Sequence, residues 1–152
     1  MSVWQGLLRK LGLEGAAAGR APLRVFLLDD DVLRHEWFAA KFKRDQLDIA
    51  VEPVRAVELL SAGSYDAIFL DHDLLPRHYK RQEEPDDAHT GYAVAAWLAE
   101  RPGAHPTASV FVHTRNADGA MRMVELMRRA GRTAEYVPYP YLGDKIKQHF
   151  RR

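Results

Sequence analysis

The stretch AIFLDHDLLPRHYK, Ala67 to Lys80, sets the apolar residues Ala67, Ile68, Phe69 and Leu70 directly before Asp71, His72 and Asp73, with a charged segment behind them. A short apolar run without polar alternation has the pattern of a strand buried on both faces, as in a parallel sheet. Ending such a strand on two acids and an imidazole is costly unless something neutralises the charge. Two other runs end in a similar way. LRVFLL (23–28) leads into Asp29, Asp30 and Asp31, and ASVFVH (108–113) closes on His113 and is followed by Thr114.

Working outward, the segments between these runs have helical spacing. VLRHEWFAAKF (32–42) brings Leu33, Trp37, Ala40 and Phe42 into register, and RAVELLSAG (55–63) is a short helix stopped by Gly63. DIAVEPV (48–54) reads as the second strand and TAEYVPYP (133–140) as a weaker fifth. Thr90 is placed to cap GYAVAAWLAERPG, with Val94, Trp97 and Leu98 inward. Asn116 is placed to cap ADGAMRMVELMRRAG, with Met123, Leu126 and Met127 inward and Gly131 as its stop. GDKIKQHFRR is a closing basic helix. Alternating strands and helices predict an α/β protein with a five-stranded parallel sheet, doubly wound, in the order 2-1-3-4-5.

The 152 residues, 47% hydrophobic and 28% charged, suit one domain with a full core. The absence of cysteine excludes disulfides, thiolate metal sites and thiol catalysis. No apolar run approaches the roughly 20 residues of a membrane span, and the expected location is cytoplasmic. A net charge of +1, from 22 basic and 21 acidic residues, gives no overall field for nucleic acid. Lys145, Lys147, Arg151 and Arg152 still crowd the last helix. Before the first strand, Val3, Trp4, Leu7, Leu8 and Leu11 lie on one helical face ahead of a linker, AAAGRAP. Residues 1–22 are therefore expected to form a helical appendage to a domain spanning 23–152. The appendage would dock on that domain or on a second copy, with a membrane-surface helix as the alternative.

In a 2-1-3-4-5 sheet, ligands bind where the order switches, outside the carboxyl ends of strands one and three. That placement gathers Asp29 and Asp30, then Asp71, His72 and Asp73, then His113 and Thr114 at one crevice. A hard divalent cation, Mg²⁺ or Mn²⁺, would neutralise the acids. Asp29, Asp30 and Asp71, with Asp73 beside them, are the candidate ligands, while Asp30 or Asp31 is equally suited to cap the helix that follows.

These features together resemble a receiver domain of two-component signalling from Leu23 onward. Asp29 and Asp30 match the acidic pair, Asp71 the acceptor aspartate, and Tyr139-Pro140 stands where receivers carry Lys-Pro. His113 replaces the usual Thr or Ser. More specifically, DDDVLRHEWF, FLDHDLL, TGYAVA and VHTRNADGAMRM resemble the cyclic-phosphate-processing receiver family, through Asp71-His72-Asp73-Leu74, Thr90-Gly91, and His113-Thr114-Arg115-Asn116 with Gly119 and Met123. The resemblance implies metal-dependent processing, by hydrolysis, of a cyclic phosphate on an RNA end or nucleotide. His113 is the leading general acid or base. His72 ranks second, because strand alternation turns it from a face assigned to Asp71 and Asp73. The nucleophile is a water on the metal or the Asp71 carboxylate. Asn116 and Thr114 are candidates to bond phosphate oxygens, Arg34 and Arg115 to clamp the phosphate, and Thr90 to line the site. Arg34 has a rival role as an exposed helix residue. The charged loop 77–89 is either a lid or simply solvated. The alternative function is a silent pseudo-receiver that binds a protein partner or its own copy; a conventional phospho-acceptor switch comes third.

Overall fold

The computed structural model describes residues 19–74 and 86–150. The expected N-terminal helix, most of the 77–89 loop and the last two arginines lie outside them. The elements are β1 (Arg24–Leu28), α1 (Val32–Lys41), β2 (Gln46–Ala50), α2 (Pro53–Ala62), β3 (Ala67–Leu70), α3 (Gly91–Glu100), β4 (Ser109–Val112), α4 (Ala117–Arg129), β5 (Ala134–Tyr136) and α5 (Leu142–His149). The strands form one parallel sheet in the order β2-β1-β3-β4-β5, as the sequence predicts.

Strand alternation divides the core in two. Phe26, Leu28, Ile68, Leu70, Val110 and Val112 pack under α2, α3 and α4, while Val25, Leu27, Ala67, Phe69 and Phe111 pack under α1 and α5. Both faces are covered, which is why the strands read as unbroken apolar runs. Among the described residues no helix is long and apolar enough to cross a membrane.

Two sequence readings need correction. The second strand lies at 46–50, not 48–54, because Pro53 begins α2: its fixed φ suits the first helical turn and its missing N–H costs nothing there. The inner stripe of α1 is also different. Leu33 is 75% exposed and Ala40 is on the outside, whereas Phe38 and Phe42 are buried. The Asp31 side chain caps α1 by accepting from the N–H groups of Leu33 and Arg34, and the sheet-facing positions then run Arg34, Phe38, Phe42 at i, i+4, i+8.

At the opposite end of the sheet from the acids, the turn after α3 is built on His105, a non-glycine residue with φ of +48°. Its Nδ1 accepts the Tyr65 N–H at 3.1 Å and its Nε2–H donates to the Leu60 carbonyl at 2.9 Å, so the ring is held as one neutral tautomer. Burial, with the Arg132 and Arg24 charges adding to it, lowers its pKa below the ordinary 6.5. The unfolded chain therefore takes up this proton first as pH falls, and stability that is complete above about pH 6.5 declines below it. In denaturant titrations below that pH, the wild-type midpoint should fall more steeply than that of His105→Gln. Parallel slopes would show that the ring is not held neutral.

Candidate functional site

The parallel ladders pair Leu28 with Leu70 and Leu70 with Val112. The next residue on each strand, Asp29, Asp71 and His113, therefore falls in one row along the sheet edge. The ladder continues into that row, with the N–H groups of Asp71 and His113 donating to the carbonyls of Leu28 and Leu70 at 2.9 and 3.0 Å. Alternation puts all three side chains on the face that carries Leu27, Phe69 and Phe111, under α1. Arg34, at the head of the inner stripe of α1, meets them there.

Asp29 is fully buried and is the hub. Its Oδ1 accepts the Asp31 N–H at 2.9 Å and Arg34 Nη2–H at 2.8 Å; its Oδ2 accepts Arg34 Nε–H and His113 Nε2–H, both at 2.7 Å. Burial alone would raise the carboxyl, but the hydrogen bonds from His113, Arg34 and the Asp31 backbone outweigh it and hold the pKa at about 2. Arg34 Nη2 also reaches Asp71 Oδ2 at 2.9 Å. Asp71 Oδ1 accepts the His72 N–H at 2.8 Å. Burial, with the adjacent Asp29 charge adding to it, pushes the Asp71 carboxyl above the usual carboxylate range.

Asp29, Asp71 and His113 each offer a ligand atom within 4.8 Å of the other two. Oxygen and nitrogen donors of this kind suit a hard divalent cation. The cation that this structure places among them is the Arg34 guanidinium. An ionised carboxylate has about four acceptor positions, and the four donors named above use those of Asp29. Asp71 keeps acceptor capacity beyond its bonds to Arg34, the His72 N–H and the Thr114 side chain. A metal therefore fits this donor set once Arg34 withdraws.

The opposite face of the sheet edge carries a second imidazole. His72, 4% exposed, bonds Asp73 Oδ1 through Nδ1 at 2.6 Å, and Asn116 Nδ2 donates to the same Asp73 oxygen at 3.4 Å. Asn116 Oδ1 in turn caps α4 by accepting the Gly119 N–H at 2.9 Å. In both imidazoles the second ring nitrogen, His72 Nε2 or His113 Nδ1, is buried without a hydrogen-bond partner among the described residues. Such groups are uncommon and often mark function.

Two glycines hold this arrangement together. A Cβ on Gly91 would stand 1.8 Å from the Asp71 carbonyl oxygen, so only glycine lets the first turn of α3 rest against the end of β3. A Cβ on Gly119 would stand 2.7–2.9 Å from three ring atoms of His72. The Thr-Gly pair and the Asn-x-x-Gly spacing are thus packing requirements of the site.

The candidate residues fall into distinct places. Asp71 and His113 meet Asp29 on the α1 face, and Arg34, far from being an exposed helix residue, joins them. His72 does turn from Asp71, but Asp73 turns with it: β3 ends at Leu70 and strand alternation does not extend to Asp73. Asp73 therefore stands with His72 and Asn116, apart from the three-residue group. Asp30 is half-buried and also outside that group, and Asp31 takes the capping role. Thr90 caps α3, accepting the Tyr92 N–H. Thr114 is buried, bonds the Asp71 carboxylate and accepts the Asn116 N–H at 3.2 Å through its hydroxyl, while Arg115 is exposed. Tyr139 replaces a lysine's charge with a ring that packs 5.2 Å from Trp37 and 5.9 Å from the Arg34 guanidinium.

A five-stranded sheet in this order with an acidic row at its switch point defines a receiver domain. Solved structures share the fold. A CheY-like receiver domain from Methanospirillum hungatei JF-1 superposes with a TM-score of 0.58 at 18% identity, covering 86% of this chain and 94% of its own. The Vibrio cholerae chemotaxis protein CheY4 gives 0.60 at 12% identity over 84% and 98%. The receiver domain of a sensor histidine kinase from Pseudomonas aeruginosa PAO1, which has a magnesium ion coordinated in its active-site cleft, gives 0.58 at 18% identity over 86% and 98%. None of the curated proteins matches the chain. Residues 24–129 match the family described as the cyclic-phosphate processing receiver domain, and the chain belongs to that family.

Proposed function

We propose that the protein hydrolyses a cyclic phosphate ester on an RNA end or nucleotide. The observation that carries this reading is the pair of carboxylate-held imidazoles, one on each face of the sheet edge, each with one buried ring nitrogen unpartnered among the described residues. Opening a cyclic phosphodiester needs a base to take a proton from water and an acid to protonate the departing ring oxygen. The Asp29 bond fixes the His113 proton on Nε2 and leaves a lone pair on Nδ1. The Asp73 bond fixes the His72 proton on Nδ1 and leaves a lone pair on Nε2. One ring takes the water's proton as the new P–O bond forms. The other, entering the cycle protonated, gives its proton to the alkoxide as the ring P–O bond breaks. Arg34, with planar paired donors, is the residue suited to hold the phosphate's non-bridging oxygens. Mg²⁺ or Mn²⁺ held by Asp71 and Asp29 would neutralise those oxygens.

A second reading, a silent receiver that acts through protein partners, is favoured by the closure of the cleft: Asp29 is fully buried and His113 only 1% exposed. Turnover of an oligonucleotide ending in a 2′,3′-cyclic phosphate, compared in Mg²⁺, Mn²⁺ and chelator, separates the two. The enzymatic reading expects conversion to a phosphomonoester, supported by metal and reduced by chelator. No conversion of cyclic or linear phosphates with metal demonstrably bound would leave the interaction module as the better account.

A further inference from the structure

We propose that Arg34 is a built-in competitor for the divalent cation, a side chain that must leave the acidic row before a metal can enter and that returns when the metal is lost. The inference deepens the reading above and rests on its metal site, but it concerns occupancy of the cleft, not chemistry.

Three observations carry it. First, Arg34 Nη2 is shared between Asp29 Oδ1 at 2.8 Å and Asp71 Oδ2 at 2.9 Å, so the guanidinium bridges the two carboxylates a bridging metal would need. Its Nε takes the remaining Asp29 oxygen together with His113, and no acceptor position of Asp29 is left over. Second, the row is nearly dry, with Asp29 at 0% and Asp71 at 4% exposure. A dication placed beside an unmoved guanidinium there would meet it with little solvent screening. Third, Arg34 has somewhere to go. Its own side chain is 21% exposed, its Nη1 already lies 3.6 Å from Asp31 Oδ2, an acid 41% exposed, and the Tyr139 ring lies 5.9 Å from its guanidinium carbon. A modest rotation outward trades the buried carboxylates for an exposed carboxylate and an aromatic face.

Arg34 thus does for the empty cleft what the metal would do for the loaded one, because it keeps two buried acids neutralised. Without it, the metal-free state would hold Asp29 and Asp71 side by side with neutral hydrogen-bond donors but no guanidinium between them, and their repulsion would favour any available cation. Arg34 raises the metal concentration at which the cleft fills.

The test is Mn²⁺ binding by calorimetry at neutral pH, with wild type, Arg34→Gln and Arg34→Lys confirmed as folded by circular dichroism. Arg34→Gln is expected to bind Mn²⁺ at least about tenfold more tightly than wild type. Arg34→Lys, which keeps the charge but loses the paired donors, is expected to fall between them. Equal or weaker binding by Arg34→Gln overturns the proposal. Should the variants fail to fold, wild type labelled with nitrogen-15 at arginine gives an independent measurement. Saturating Mg²⁺ is expected to release the Arg34 Nε–H from protection against solvent exchange, and a signal unchanged while metal binds overturns the proposal. Because neither readout involves turnover, a protein that behaves this way yet hydrolyses no cyclic phosphate would sink only the enzymatic reading.

Discussion

Replacing Arg132 with methionine is expected to destabilise the domain by about 3–5 kcal/mol, because several buried carbonyls lose charge-assisted donors, each left unsatisfied at a cost of about 1–3 kcal/mol. Arg132 is 8% exposed, and its donors are shared among four backbone carbonyls: Nε to Leu98 at 2.8 Å, Nη1 to His105 at 3.1 Å, and Nη2 to Arg101 at 2.7 Å and Ala104 at 2.5 Å. Leu98 and Arg101 belong to the C-terminal end of α3, where carbonyls lack intrahelical partners and the helix dipole is negative. The guanidinium therefore caps a helix from outside the helix and also fixes the turn through His105. Burial lowers its pKa, so the four acceptors offset a real desolvation cost. Methionine fills much of the space and satisfies none of the carbonyls. Lysine restores the charge but cannot span four acceptors with one ammonium, and Arg132→Lys should recover less than half of the loss. Urea titration of both variants checks this; an unfolding free energy within about 1 kcal/mol of wild type for methionine would mean that water replaces the guanidinium at this turn.

Nothing in the sequence around Arg132 points to that role. It follows Gly131, whose φ of +84° ends α4, and its partners lie between 27 and 34 residues away in a turn with no recurring pattern. The sheet, by contrast, was legible because strands buried on both faces cannot hide their composition. The row of Asp29, Asp71 and His113 was legible for the same reason, since residues that immediately follow aligned strands must align too. Arg34 was harder. The apolar spacing of Leu33, Trp37, Ala40 and Phe42 did not give the phase of α1, whose four-residue spacing of Arg34, Phe38 and Phe42 leads from the core to the acids. Asp73 was misplaced because alternation was carried past Leu70, where the ladder geometry that enforces it has stopped. Gly91 and Gly119 were visible as motif residues, but their reason, contact with the Asp71 carbonyl and the His72 ring, exists only in three dimensions.

If the two imidazoles are the acid and base of cyclic phosphate opening, His113→Ala is expected to lower turnover by roughly a hundredfold or more, the usual contribution of a positioned acid–base group. His72→Ala should lower it by roughly a further-reaching amount than a surface substitution yet less than His113→Ala, because His72 lies on the face away from Arg34 and Asp71. The informative variant is the double one. Groups that serve the same transition state fail together, so the double variant should lose far less than the product of the two single losses. The pH profile of kcat/KM adds a second readout: a two-limbed profile in wild type should lose a limb in each single variant. Saturating metal is required throughout, since His113 also belongs to the group able to hold the ion. Gly119→Ala provides an approach to His72 that leaves its imidazole in the chain. The new methyl would collide with the ring, and tilting it away from Asp73 should reproduce the His72→Ala defect with the pH limb displaced instead of erased. Small and equal effects of all these substitutions on a protein that does turn over would place proton transfer elsewhere.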